Sequence, residues 1–426
     1  MNHQTNKLII GIFYLIIIST FSAKAQTNTI SPYSRFGPGD LIYNGYANQI
    51  GLAGVSIAGN SATKLNFNNP ASYAYDTLMV LDFALNSEVV IQKQTGISTR
   101  QLNTTINNFS IGFPLKRGIW GMAFGFLPYS GTGYKIQTSE KLDSTNSLIT
   151  KYLGEGGFTR YFIGSGVKIT KQLSFGVNAS YLFGTVDKTR KVIFTNSTFY
   201  ANRNKDEINL ADFYFEGGLN YNGKLNEKYN YAIGITGAPA QNISAKRTTL
   251  WVNYRYDSFN DLEQDRDTIS YTPDDKGIIV LPAKIGFGLQ ISNKKMSVGL
   301  DVNWQDWSSY KVYNQTDSLK NSFKIALGGQ WIPDQKGVSY AGRIQYRGGL
   351  FFNKTYLELK NTALNDYGVT IGLGLPFRKS FGSMFNFGIA AGNRGTTKQN
   401  LVKEQYVRLV FGVTLNEDWF RKSKYD

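Results

Sequence analysis

Strict alternation between large apolar residues and small or polar residues recurs over long stretches of this chain. It is clearest at residues 120–126, 173–183, 296–304 and 385–390. A period of two residues indicates a β-strand, whose side chains point alternately to opposite faces. The second face carries Gly, Ser and Asn more often than Lys and Glu, although a soluble sandwich would place charge there. The pattern predicts an all-β fold, a transmembrane antiparallel β-barrel with lipid outside and a filled lumen.

About fourteen segments are predicted as strands of this barrel. They lie near 78–92, 106–115, 118–136, 155–169, 172–189, 206–223, 228–245, 278–292, 295–311, 320–331, 339–350, 367–377, 382–394 and 402–414. Short connections alternate with long ones, as in outer-membrane barrels with short periplasmic turns and longer external loops. The long connections lie near 93–105, 137–154, 190–205, 246–277, 312–319 and 351–366. Both termini are predicted to face the periplasm, and Leu250, Val252 and Tyr254 leave an extra hairpin open within the longest loop.

The chain begins with a pattern typical of secreted proteins. An apolar run from Leu8 to Phe21 is followed by Ala23-Lys24-Ala25, a cleavage site of the A-x-A type. The run is shorter than the roughly 20 residues that a membrane-spanning helix needs. Residues 1–25 are therefore predicted to be a signal peptide cleaved before Gln26. The barrel is assigned to residues 78–415, and residues 416–426 are predicted to form a basic periplasmic tail.

Composition removes several classes of function. The chain contains no Cys, and its one His, His3, lies in the predicted signal peptide. Thiol nucleophiles, His general bases, disulfides and His- or Cys-ligated metals are therefore excluded from the mature chain. Chemistry by serine with a carboxylate, or by paired carboxylates, stays formally open, but no catalytic residue and no cofactor is predicted. The net charge of +16 would suit nucleic acid, yet a secreted chain with its basic residues in turns favours lipid phosphates instead.

Four stretches resemble the FadL-like long-chain fatty-acid and hydrophobic-compound transporters of bacterial outer membranes. They are Asn69-Pro70-Ala71 after Phe67, Leu281-Pro282-Ala283-Lys284-Ile285-Gly286-Phe287-Gly288-Leu289, residues 298–310 with Asp301 and Asp306-Trp307-Ser308, and residues 325–334. They occur in the order expected for that family. Residues 31–37 and the end of the chain, 419–426, resemble a Bacteroidota branch of it.

The resemblance implies a function and a hatch. Residues 26–77, including Ser61, Asn69, Pro70 and Ala71, would form an N-terminal hatch inside the lumen. The implied function is passive uptake of hydrophobic molecules such as long-chain fatty acids, with outer-membrane lipid around the barrel. A rival interpretation is an accessory or structural barrel of an outer-membrane secretion or assembly complex, whose partners would be other envelope proteins. An enzyme and a nucleic-acid partner are not expected.

The third predicted strand contains a break. Pro128 cannot donate to a β-ladder, and Gly131 and Gly133, on either side of Thr132 and just after Ser130, weaken strand pairing. Unpaired backbone facing lipid is costly, so such a break persists only where it opens onto a cavity or is covered by protein. The FadL-like transporters have a kink in this strand that opens the lumen sideways. The resemblance therefore implies a lateral opening at Pro128, Ser130, Gly131 and Gly133, and the alternative is an ordinary strand end near the external rim.

Two groups of charged residues are candidate sites. Strand parity places charges of both signs in the lumen, including Glu216, Asp301, Arg343, Arg347 and Arg408. Because unpaired charge is costly in a confined space, these residues are predicted to form a network that holds the hatch. The alternative is a site for an anionic head group at Arg343 and Arg347. The second group is the acidic residues of the 257–275 loop, which could hold Ca²⁺ but lack the spacing of a known calcium loop.

Overall fold

The computed structural model describes residues 29–42, 45–143, 146–195, 199–257, 262–335, 337–378 and 382–418. The predicted signal peptide, and the predicted tail from residue 419 onward, lie outside the described residues. None of the helices in these described ranges is long and apolar enough to cross a membrane.

Fourteen antiparallel strands form a closed barrel wall. In chain order they are β1 (Met79–Gln94), β2 (Ile97–Lys116), β3a (Trp120–Gly131) with β3b (Tyr134–Lys141), β4 (Ser147–Lys168), β5 (Leu173–Phe194), β6 (Ala201–Lys224), β7a (Asn230–Ala238) with β7b (Gln241–Asp257), β8a (Leu262–Leu281) with β8b (Lys284–Ser292), β9 (Met296–Gln305), β10 (Ser322–Trp331), β11 (Gln345–Leu359), β12 (Thr362–Pro376), β13 (Met384–Gly395) and β14 (Lys403–Glu417). Each strand pairs with the next, and β1 also pairs with β14 from Met79↔Glu417 to Lys93↔Lys403, which closes the ring. The predicted fold class and strand number are confirmed.

The two faces of the wall differ as the alternation predicts. Large apolar side chains are exposed on the outer face, for example Phe175, Phe215, Phe287, Leu327 and Leu409. Their neighbours on the inner face are small or polar and buried, for example Asn178, Ser180, Asn220 and Ala326. An apolar outer face with a polar inner face is the arrangement of a barrel whose solvent is lipid.

Most of the segments predicted as long loops are strands instead. Residues 246–277 belong to a continuous ladder between β7b and β8a, which pair from Gln241↔Leu281 to Asp257↔Leu262. The loops predicted near 93–105, 137–154, 190–205 and 351–366 are likewise mostly strand. The β7b–β8a hairpin extends beyond the apolar belt, where both faces of a strand can be polar. The other segments are rich in polar residues, so the apolar alternation that marks a strand in sequence is weak or absent in all of them.

One predicted strand also begins too early. Residues 339–350 were expected to be extended, but a short helix occupies Tyr340–Arg343 and β11 begins only at Gln345. The remaining short elements of the connections are 3₁₀ helices at Trp307–Ser309 and Lys398–Asn400 and two-residue strands at Lys311–Val312 and Gln315–Thr316.

Residues 29–77, here called the N-terminal segment, lie against the inner face. The segment contains 3₁₀ helices at Pro32–Arg35 and Pro70–Tyr75, a helix at Ala47–Ile50 and a short strand at Asp40–Leu41. Near its start, the Ile30 carbonyl accepts a hydrogen bond from Gln92 at the far end of β1. At its finish, the Asp76 carbonyl accepts a hydrogen bond from Gly118 in the short turn between β2 and β3a. The segment therefore runs the length of the lumen.

The first described residues and the last ones lie at opposite ends of the barrel. Asp418 forms an ion pair with Arg117 at the end with short turns, whereas Ile30 lies at the end with long hairpins. Residues 1–28 and 419–426 lie outside the described residues, so the periplasmic position of both termini stays a prediction.

Candidate functional site

The Asn69-Pro70-Ala71 turn is embedded in the wall of the lumen. Asn69 is fully buried, and its Nδ2 atom donates to the carbonyl oxygens of Ile57 at 2.7 Å and Leu219 at 3.1 Å. A Cβ atom at Gly176 would overlap the peptide between Pro70 and Ala71. Glycine on the inner face of β5 therefore lets the turn approach the wall closely. Ser61 lies outside this packing and accepts a hydrogen bond from the Thr63 amide at 3.2 Å.

Polar side chains of the wall bind the backbone of the N-terminal segment. Asp301 on β9 accepts hydrogen bonds from the amides of Ser56 at 2.7 Å and Ile57 at 3.0 Å. Thr370 on β12 accepts from the Ala53 amide at 2.9 Å, and Asn178 on β5 donates to the Phe67 carbonyl at 3.0 Å. These bonds replace the ladder that an irregular segment lacks, and buried backbone groups require such partners.

The lumen charges form ion pairs near the middle and the far end. Glu216 on β6 lies between Arg160, 3.4 Å away, and Lys284, and Arg408 contacts Glu88 at 2.9 Å. Arg394, at the far end, contacts Asp40 of the N-terminal segment at 2.6 Å and also Glu404. Opposite charges thus lie next to each other on the inner face.

Arg347 and Arg343 do not form a joint site in the cavity of the lumen. Arg347 on β11 is buried and donates to Gln330 at 3.0 Å, Gln345 at 2.7 Å and Asn386 at 2.9 Å. Arg343 belongs to the short helix that precedes β11, so strand parity does not apply to it. Neither arginine lines the lumen cavity.

Two ionisable groups of the N-terminal segment have shifted pKa values at the end with short turns. Burial lowers the pKa of Lys64 well below its usual value, and the nearby Arg347 lowers it further. Burial also raises the pKa of the Asp76 carboxyl well above its usual value. Both shifts disfavour the charged form, because a low-dielectric environment penalises charge.

A cavity of about 380 Å³ occupies the lumen beside the N-terminal segment. Apolar side chains such as Ile50, Ile57, Phe67 and Phe351 line it together with the ion pairs of Glu216 and Arg408. An apolar cavity with a few polar groups is the usual form of a small-molecule site. Asp301 also lines it, so the residue that binds the N-terminal segment faces the cavity.

The wall is interrupted at the predicted break in the third strand. β3a ends at Gly131 and β3b begins at Tyr134, with a register shift between Pro128 and Ser130. β2 pairs with β3a only as far as Phe109↔Phe126, and in the described part of the chain no ladder joins residues 97–108 of β2 to β3b. We call this interval the β2–β3b gap.

The N-terminal segment covers the inner side of the break. Asp40 and Leu41 pair with Gly131 and Ser130, the Ser130 hydroxyl donates to the Pro38 carbonyl at 2.8 Å, and the Gly133 amide donates to Ser34. Gln101 and Asn103, in the unpaired half of β2, line the lumen cavity. Gln101 also lines a second cavity of about 530 Å³ together with Tyr134 and Lys135 of β3b. The break is thus covered by protein and opens onto cavities.

The acidic stretch that suggested calcium forms ion pairs instead. Glu263 lies 2.9 Å and Asp265 2.7 Å from Arg203, and Glu263 also contacts Lys191. In the ranges that the structure describes, no group of three or more acidic residues could hold a metal ion. Asp261 lies outside those ranges.

Sequence reasoning missed Arg394, Glu404 and Asp40, which form the ion-pair cluster at the far end of the lumen. Strand parity could have identified Arg394, since it ends the predicted strand at 382–394. Its partner Asp40 belongs to an irregular segment, where strand parity gives no direction.

Comparison with known proteins places the chain in a family and supports the fold. A family model described as BamG matches residues 6–426. A FadL homologue of Pseudomonas aeruginosa is similar at 11% identity and a TM-score of 0.59, covering 89% of this chain and 99% of its own.

Two further solved structures are similar. The toluene transporter TodX of Pseudomonas putida has 13% identity and a TM-score of 0.56, covering 89% of this chain and 99% of its own. The toluene transporter TbuX of Ralstonia pickettii has 12% identity and a TM-score of 0.55, covering 88% and 99%. The resemblance to FadL-like proteins is therefore confirmed at the level of the fold. No curated protein sequence matches the chain.

Proposed function

The chain belongs to the BamG family, and we propose that it is an outer-membrane channel for the passive uptake of hydrophobic small molecules. Proteins with the same fold include transporters of toluene, a small apolar molecule. The proposal involves no catalytic step.

The observation that carries the proposal is the β2–β3b gap beside the lumen cavities. Residues 97–108 of β2 expose Leu102 and Ile106 on the outer face, while Gln101 and Asn103 line the lumen cavity. An apolar molecule that leaves here passes from a partly apolar cavity into lipid without crossing water. Transfer of apolar surface from water costs about 25 cal/mol per Å², so this route suits poorly soluble cargo such as long-chain fatty acids.

The N-terminal segment would act as the hatch of this channel. It spans the lumen and covers the inner side of the break. It is joined to β3a by only the two-residue pairing of Asp40 and Leu41, and its other contacts with the wall include single side-chain hydrogen bonds such as those of Asp301 and Thr370. A small displacement of Asp40 and Leu41 from β3a would uncover the gap while Asn69 stays anchored.

The proposed orientation places the short turns in the periplasm and the hairpin of β7b and β8a outside the cell. The short turns carry Arg117, Lys171, Lys224 and Lys294, which suits a surface next to lipid phosphates. Residues 1–25 would direct the chain to the envelope as a signal peptide.

Uptake by purified protein tests the proposal. The chain reconstituted into lipid vesicles should speed the entry of a long-chain fatty acid labelled with a fluorophore, relative to vesicles without protein. A polar sugar of similar mass should enter at the same slow rate in both. Equal fatty-acid rates with and without the protein would contradict uptake.

A structural role in an envelope complex is the second candidate, and the β7b–β8a hairpin favours it. Residues 262–275 of β8a are exposed on both faces. Within the described residues, the outer edge of β8a pairs only at Ile279 and Val280, with Lys311–Val312. A long unpaired edge can accept a strand from another protein. The role is supported if envelope proteins co-purify with the barrel in mild detergent and no longer do so when residues 247–274 are deleted. Purification of the barrel without any partner in mild detergent would contradict it.

A further inference from the structure

The ladder between β6 and the seventh strand is interrupted in its middle. Below the interruption Gly217 pairs with Gly237, and above it Leu210 pairs with Ala245. Residues 211–216 of β6 face residues 238–244, and the two stretches share no ladder pairing. We call this interval the β6–β7 seam. On the other side β6 pairs continuously with β5, so the interruption belongs to the seam alone.

The seam lies at the level of the apolar belt. Phe213 and Phe215 on the β6 side are 57% and 55% exposed, and Ile235 and Ile285 nearby are also exposed on the outer face. In hydrocarbon an unpaired backbone group costs several kcal/mol, so irregular backbone at this depth needs other partners or a cavity behind it. The seam has both.

Two side chains take the place of the missing ladder. Gln241 accepts a hydrogen bond from the Phe215 amide at 2.8 Å and donates to the Phe215 carbonyl at 2.9 Å. Asp212 accepts from the amides of Phe213 at 2.7 Å and Ser244 at 2.8 Å. The seam is therefore closed by rotatable side chains, whereas the strands above and below it are joined by backbone.

The lining of the lumen cavity extends to outward-facing residues beside the seam. Its lining includes inward residues such as Thr236 and Lys284. It also includes four outward residues, Gly217, Gly237, Ile285 and Trp304, which form one row of ladder partners across β6, β7a, β8b and β9. The two paired glycines put no side chain in the way.

Proline breaks the strands directly above this row. Pro239 separates β7a from β7b, and Pro282 separates β8a from β8b. Neither residue can donate to a ladder, so the wall is weakened on two adjacent strands at the same height.

We propose that the β6–β7 seam is a second lateral passage between the lumen cavity and the bilayer, with Gln241 and Asp212 as its latch. It admits apolar molecules dissolved in the membrane when the Gln241 side chain leaves the backbone of Phe215. The proposal stands apart from the β2–β3b gap, which lies on a different pair of strands.

Cysteine labelling tests the passage, since the chain contains no Cys of its own. Thr236→Cys places a thiol in the cavity next to the seam. Asn353→Cys is the matched control, because Asn353 lines the same cavity but β11 is paired on both sides of it. Each variant is reconstituted into vesicles. Its labelling rate with a lipid-soluble maleimide is then divided by its labelling rate with a small water-soluble maleimide.

The expected result is a ratio several-fold higher for Thr236→Cys than for Asn353→Cys. Adding Gln241→Ala should raise the Thr236→Cys ratio further and leave the Asn353→Cys ratio unchanged. Equal ratios for the two cysteines would overturn the proposal, and that comparison does not require the Gln241 variant to fold. If Gln241→Ala leaves the Thr236→Cys ratio unchanged in a folded barrel, Gln241 does not act as a latch. Because labelling is measured and not uptake, the result is independent of whether the β2–β3b gap conducts.

Discussion

Asp301 on the barrel wall binds the backbone amide of Ser56 across the lumen at 2.7 Å, and the next amide, that of Ile57, donates to the same carboxylate oxygen. The two partners are 245 positions apart in sequence. The carboxylate is 2% exposed and holds the middle of the N-terminal segment, while Asn69 holds a later part of it.

Asp301→Ala should loosen the N-terminal segment. Two buried amides lose their acceptor, and each unsatisfied donor costs about 1–3 kcal/mol, so we expect a loss of about 2–6 kcal/mol in the free energy of unfolding in urea. Protease cleavage between residues 45 and 77 of the folded barrel should become faster. Asn303→Ala is the matched control, because Asn303 lies two residues further along the same face of β9 and lines the same cavity. Equal effects of the two substitutions would argue against a specific anchor.

Deletion of residues 26–77 should open an aqueous pore. The segment fills the lumen along its length, so the intact protein should conduct little in planar lipid bilayers and the deletion variant should conduct steadily. Asp301→Ala, which keeps the chain complete, should give brief openings of intermediate frequency. Equal conductance of all three proteins would mean that the N-terminal segment does not block the barrel.

The orientation of the barrel can be tested on intact cells. Gln264→Cys lies in the β7b–β8a hairpin and Lys294→Cys lies in the short turn before β9, and the chain contains no other Cys. A membrane-impermeant maleimide should label the first and should label the second only after the outer membrane is permeabilised. The opposite pattern would invert the proposed topology.

Asp76 gives a prediction about pH. Burial raises the pKa of its carboxyl, so the folded protein keeps a proton that the unfolded chain loses near pH 3.8. The unfolded state therefore binds fewer protons above that pH, and the contribution of Asp76 to stability falls as the pH rises toward the folded-state pKa. Asp76→Asn should make the barrel more resistant to urea at neutral pH and should have little effect near pH 3. A stability gain for Asp76→Asn that is the same at every pH would contradict the explanation.

The strands could be predicted from the sequence where the barrel wall faces lipid. Strands such as β9 and β13 carry large apolar residues on one face only, so their type, faces and order could be predicted. The β7b–β8a hairpin could not, because residues 262–275 face water on both sides and carry no apolar alternation. Strand parity also could not predict the ion pair between Arg394 and Asp40, since Asp40 lies in an irregular segment.

The seam was beyond sequence reasoning for a different reason. Gln241 and Phe215 are 26 positions apart, and their contact depends on the register in which β6 meets the seventh strand. Only the interruption of that register shows that Gln241 acts as a bridge and not as an ordinary polar residue of the wall.

The central claim is that apolar cargo leaves the lumen through the β2–β3b gap, and a cross-link across the gap tests this claim most directly. Leu102→Cys and Lys135→Cys place one thiol on each side of the gap, and bifunctional maleimides of increasing length are used to join them. The control pair is Phe109→Cys with Phe126→Cys, whose positions are ladder partners just below the gap. Fatty-acid entry into vesicles should fall several-fold when the first pair is joined and stay unchanged when the control pair is joined. Undiminished entry with Leu102→Cys and Lys135→Cys fully cross-linked in a folded barrel would contradict lateral exit through the gap.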